Sequence, residues 1–149
     1  MKPSPVIRCI SLLAVLCALA PGAPTARAQA LFLHEITWAE TADYLKRSDM
    51  VIIPMGSTEQ HGPHLPLGTD IIVAEDIASR VSARTGVVVA KILSVGQSEV
   101  HMGFPGTISI SPGAMERVLV ESAESLIRHG IRKFMFFNYH DGNSVVQQN

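Results

Sequence analysis

The chain has 149 residues, a length that suits one domain rather than two. With 47% hydrophobic and 17% charged residues it can bury a core, which excludes a disordered tail. Twelve basic residues against 13 acidic ones give a net charge of −1 with no basic run, which excludes nucleic acid or an anionic membrane as the main partner.

Residues 1–28 read as a removable leader. Lys2 and Arg8 make a positive start, Cys9 to Ala20 form an apolar run, and Ala26-Arg27-Ala28 offers a small-residue cleavage site. The apolar run is shorter than the roughly 20 residues a membrane span needs. The expectation is a secreted or periplasmic protein with no membrane contact after cleavage. The mature chain loses Lys2, Arg8 and Arg27, so 12 basic residues less three leaves nine against 13 acidic, a net of −4. Cys9 and Cys17 leave with the leader. Without thiols, any catalytic or metal chemistry falls to His, Asp, Glu and hydroxyl groups.

The domain expected over residues 31–149 alternates strands and helices. Thr37 to Leu45 predicts a short helix, with Thr37 and Glu40 spaced as a capping box. Val51 to Met55 predicts a buried strand ended by Gly56. Asp70 to Arg84 carries Ile71, Ala74, Ile77, Ala78 and Val81 at helical spacing, with Thr69 as the expected N-cap and Gly86 as the stop. Val87 to Leu93 predicts a second strand. Ser111-Pro112 opens a second long helix that ends at Gly130, with His129 suited to its C-terminal dipole. Ile131 to Phe137 predicts a third buried strand, its Phe134, Phe136 and Phe137 in the core or in subunit contacts. This order predicts an α/β domain with a mostly parallel sheet, whose site would lie beyond the carboxyl ends of its strands.

Polar residues gather at those ends. Gly56 to Asp70 reads GSTEQHGPHLPLGTD, and Asn138 to Asn143 reads NYHDGN. Glu59 and His61, two apart, can face one point from extended backbone. Asp70 opens a helix, where the dipole favours a carboxylate. Gly and Pro residues between them make a loop able to return Asp70 to the same place. Such mixed nitrogen and oxygen donors suit Zn²⁺ or Mn²⁺, and an aspartate can bridge two ions. Each residue also has a plainer reading alone: a solvated loop for Glu59 and His61, a first-turn helix residue for Asp70, and a loop residue for His140.

GSTEQHGPHLPLGTD, His101 to Ser111 (HMGFPGTISIS) and NYHDGN together resemble the creatininase (creatinine amidohydrolase) family. The resemblance runs from about His34 to the end and spans roughly the first half of such a domain. It implies a three-layer α/β fold and a centre of two divalent ions, Zn or Mn. It also implies hydrolysis of a C–N amide bond of a small, commonly cyclic, creatinine-like substrate by a metal-activated water, usually in a homo-oligomer. By motif, Glu59, His61, Asp70 and His140 match metal ligands, with Asp70 as the bridge. His101, Phe104 and Thr107 fall on a turn resembling the pocket wall, and His64 and Asn143 stand behind the ligands.

Creatininase itself has a glutamate where this chain has Gly142, which puts creatinine in doubt as the substrate. Asp141, one position early, is an alternative donor. The general acid is expected beyond Asn149, the chain reading as the front of a longer domain. Two alternatives follow: a non-catalytic fragment or metal-binding protein of the same fold, and a peptidase or formamide hydrolase.

Overall fold

The computed structural model describes residues 29–144; the leader expected over residues 1–28 and the closing residues 145–149 lie outside them. Among the described residues, helix α1 (Trp38–Leu45) precedes strand β1 (Met50–Met55), helix α2 (Thr69–Thr85), strand β2 (Val88–Val89), helix α3 (Pro112–Arg128) and strand β3 (Lys133–Asn138). The three strands form one parallel sheet in the order β2-β1-β3. No helix among the described residues is long and apolar enough to cross a membrane.

The central strand shows why three layers form. Val51, Ile53 and Met55 project into one core with Tyr44 of α1 and Met115 and Leu119 of α3. Ile52 projects the other way, onto Ala78 of α2 and Val89 of β2. That alternation is the period of two of a strand, here buried on both faces. The fold is thus a parallel sheet between helices, as the sequence predicts.

Capping chemistry sets the helix ends. Thr37 and Glu40 form the expected capping box on α1, and the Ser111 hydroxyl accepts from the Ala114 N–H on α3. Gly86 ends α2 at φ 73°, a left-handed conformation that glycine adopts without penalty. The Thr69 cap, in contrast, does not form. Its hydroxyl donates to the Pro66 carbonyl at 2.7 Å, closing the preceding loop, and Gly68 takes the cap position without a side-chain bond.

Two strands differ from expectation. The second is two residues long rather than seven, and Pro54 explains why. The Ile52 carbonyl accepts from Ala90 N–H on the β2 side, whereas the Met55 carbonyl accepts from Tyr139 N–H on the β3 side. Alternation therefore turns Pro54 toward β2, and proline has no N–H to give. The chain leaves β1 there and crosses its carboxyl end. Ser94 accepts from the Thr58 hydroxyl at 2.8 Å, and Ser98 pairs with Ser57 at 2.5 Å. The third strand is not buried throughout, because it is an edge of the sheet formed by the described residues: Phe134 packs on the core, but Met135 and Phe136 stay half exposed.

Candidate metal centre

The carboxyl end of β1 delivers Gly56, and α2 begins directly against it. A Cβ on Gly56 would lie 2.5 Å from Ile71 N, so only glycine lets the first turn of α2 come this close. The intervening loop is pinned at both ends. Glu59 N–H donates to the Leu67 carbonyl at 2.9 Å, and Ile108 N–H donates to the Thr58 carbonyl at 2.9 Å. These bonds return Asp70 beside Glu59, as the Gly/Pro content of the loop suggested. At the end of β3, the Asn138 side chain brackets His140, accepting its N–H and donating to its carbonyl. One donor atom each from Glu59, Asp70 and His140 then falls within a 4.8 Å group.

The histidine protons decide what this group can do. His140 Nε2–H donates to the Gln97 carbonyl at 3.0 Å, and a carbonyl can only accept. In the neutral ring Nδ1 is therefore bare, and it lies 3.0 Å from Asp70 Oδ2 and 3.6 Å from Glu59 Oε1. Acceptors thus face one another in a buried space, and Asp70 Oδ2 and Glu59 Oε2 have no hydrogen-bond partner among the described residues. Glu59 and Asp70 are each only 6% exposed, so these orphaned oxygens call for a cation. The donor set, two carboxylates and an imidazole with its outer proton on a carbonyl, fits a divalent metal of Zn or Mn type.

His61 repeats the pattern on the other side of Asp70. Its Nδ1–H donates to the Glu59 carbonyl at 3.0 Å, and its Nε2 lies 2.9 Å from Asp70 Oδ1. Asp70 thus turns one oxygen to each histidine, the disposition of a bridging carboxylate. Burial, the largest single influence, works against the charged imidazole of His61. The hydrogen bonds to Glu59 and Asp70 and their negative charge outweigh it and raise its pKa above the ordinary 6.5.

That shift has opposite consequences for the metal-free and metal-bound protein. Without metal, the His61–Asp70 contact stabilises the fold fully below the ordinary histidine pKa and is lost as pH rises through the raised one. A metal must displace the same proton, so its affinity is expected to climb with pH over that window and then level off. Thermal unfolding in chelator and metal titration at several pH values check both directions. A metal affinity flat across the window would count against His61 as a donor.

The other expected site residues divide. Asn143 is fully buried and ties the site together: Oδ1 accepts from Gln97 N–H, and Nδ2 donates to the Gly56 carbonyl and to Asn138 Oδ1, each at 3.2 Å. Thr107 is buried and accepts the Gln60 N–H at 3.2 Å. His101 places Nε2 3.8 Å from Glu59 Oε1. Phe104 stands 53% exposed at a recess of about 300 Å³ that also has Gln60, Leu67 and Pro105 in its walls. His64 is exposed and hydrogen-bonds to none of the four donors among the described residues.

Asp141 is exposed and outside the group of donors, so it does not stand in for the missing carboxylate. Gly142 cannot be replaced by one either. A Cβ there would lie 2.2 Å from the Gln97 carbonyl oxygen and 2.6 Å from His140 Nε2. Sequence reasoning missed Gln97 and Gln60. Gln97 acts through its carbonyl, which leaves no trace in residue type; Gln60 could have been noticed from its place between Glu59 and His61.

Comparisons with known proteins identify the family and match the fold. The family profile for creatininase (creatinine amidohydrolase) matches residues 34–149. A mycofactocin precursor peptide peptidase of Mycolicibacterium smegmatis is 46% identical over 63% of this chain and 40% of its own. The creatinine amidohydrolase of Pseudomonas putida is 31% identical over 78% of this chain and 47% of its own. A solved manganese creatininase superposes with a TM-score of 0.74 at 29% identity, over 78% of this chain and 48% of its own. The chain thus spans under half the length of these relatives.

Proposed function

Because the chain belongs to the creatininase family, whose members are hydrolases, we propose that its donor cluster is the metal centre of an amidohydrolase. One observation carries this reading. Glu59, His61, Asp70 and His140 converge with both histidine outer protons on backbone carbonyls and two carboxylate oxygens unpartnered. When bound, divalent metal lowers the pKa of a water toward neutrality and polarises a carbonyl oxygen. The protein's own part is to hold the donors in register. Asn138 and Asn143 fix His140, the Gln97 carbonyl fixes its tautomer, and the start of α2 fixes Asp70 between the two histidines. Glu59, His61, Asp70 and His140 would hold divalent metal of Zn or Mn type, and Asp70, with one oxygen toward each histidine, would suit a centre of two ions.

The substrate is an amide whose C–N bond is cleaved. The absence of room for a glutamate at position 142 argues against a creatinine-type pocket. The apolar recess at Phe104 and the peptidase among the relatives favour an amide in a peptide as a second reading. Metal analysis of the purified chain, with Glu59→Gln as control, tests the centre. More than one ion per chain, falling with the substitution, is expected; less than one, unchanged by the substitution, would sink the reading. Release of amine or ammonia from creatinine, formamides and short peptides distinguishes the substrates, and the expected order places peptides above creatinine.

A further inference from the structure

Beside the donor cluster stand two side chains in contact, Gln60 and His101. Gln60 lies between Glu59 and His61, and its amide is oriented by the backbone. Its Oε1 accepts the Gly62 N–H at 3.1 Å, which leaves Nε2 as the atom facing His101 Nδ1, also at 3.1 Å. An amide nitrogen can only donate, so His101 Nδ1 must accept. The neutral ring therefore carries its proton on Nε2, the atom 3.8 Å from Glu59 Oε1.

Glu59 Oε1 is the carboxylate oxygen that this proton faces. Its carboxylate is buried, Oε2 has no partner, and the other imidazole nitrogen near Oε1, His140 Nδ1, is bare because the proton of that ring lies on Nε2. The Nε2–H of His101 is thus the imidazole proton turned to this carboxylate. We propose that Gln60 and His101 form a positioning arm, in which Gln60 sets the His101 tautomer and the His101 Nε2–H orients Glu59 as a metal donor. The 3.8 Å contact is longer than a hydrogen bond, so the arm acts as an outer partner of the ligand, and such partners commonly govern metal affinity by about 10–100-fold. The inference rests on the metal centre proposed above. It differs from the pocket-wall role expected for His101, because it acts through Glu59 and not on the substrate.

The test has two parts, one of which needs no metal. In the full chain, ¹⁵N spectra of histidine are expected to show the neutral His101 ring protonated at Nε2 and bare at Nδ1. The opposite tautomer would overturn the proposal. Titration with Zn²⁺ and with Mn²⁺ then compares two variants, with metal-free thermal unfolding as the check on folding. His101→Phe keeps a ring but no donor and is expected to weaken binding about 10–100-fold. His101→Gln restores an N–H donor and is expected to recover most of that loss. Wild-type affinity in the phenylalanine variant, or an equal loss in both variants, would show that the N–H is not what acts. If the wild-type chain binds neither metal, the proposed centre fails, while the tautomer measurement still decides whether Gln60 sets the ring.

Discussion

At alkaline pH, Asp70→Asn is expected to abolish metal binding while leaving the metal-free fold as stable as before, or more so. Below the ordinary histidine pKa it also loses the His61–Asp70 contact and destabilises that fold. Asp70 offers one oxygen to each of two histidines, so the substitution removes charge from both halves of the centre at once. Loss of a single outer partner of a ligand costs about 10–100-fold in affinity. Loss of the shared donor itself is expected to exceed about 100-fold. The metal-free fold behaves differently because Glu59 and Asp70 are two buried carboxylates with unpartnered oxygens. At alkaline pH, with His61 neutral, no cation offsets them, and an asparagine relieves that cost. Thermal unfolding with and without metal separates the two effects. At a concentration 100 times its dissociation constant, a metal stabilises the wild type by about 2.7 kcal/mol. The variant should gain less than about 0.5 kcal/mol at that concentration. An equal gain in both proteins would remove Asp70 from the centre.

The second large effect concerns a residue without a side chain. Gly56→Ala places a Cβ 2.5 Å from Ile71 N and 2.7 Å from the Asp70 carbonyl carbon, all backbone atoms that no rotamer change can move. The first turn of α2 must shift, and the expected cost is about 3 kcal/mol, at the upper end of overpacking effects. Gly86→Ala is the comparison. That glycine has a positive φ but open space around it, so only the left-handed strain remains, about 1 kcal/mol. Urea unfolding of both variants checks the difference. Equal costs would mean that the approach of α2 to β1 is not tight. The same shift carries Asp70 away from Glu59, so Gly56→Ala is also expected to lose metal.

These two residues also show what could be read from sequence. The return of Asp70 toward Glu59 was legible from a carboxylate in a helix's first turn after a loop rich in Gly and Pro, whereas its role as a donor came from the family resemblance. His140 was legible through its place after a strand. The capping box of α1 and the glycine ends of both long helices are local chemistry, visible in a few adjacent residues. The length of β2 was not legible, since it depends on which side of β1 Pro54 faces, a matter of register between strands distant in the chain. The exposure of β3 was hidden for a related reason. Its run of phenylalanines fits a central strand, and only the strand order among the described residues makes it an edge. Gln97 was out of reach altogether, because its contribution is a carbonyl oxygen.

That last point bears on how such a centre tolerates change. The outer protons of His61 and His140 both rest on main-chain carbonyls, at Glu59 and Gln97. Every amino acid supplies a carbonyl, so the protonation pattern of the two rings is written into the path of the backbone rather than into a side chain. Replacement of the Gln97 side chain leaves that instruction intact, whereas a shift of the segment from Ser94 to Ser98 erases it without altering any donor. The centre is robust to spelling and sensitive to shape.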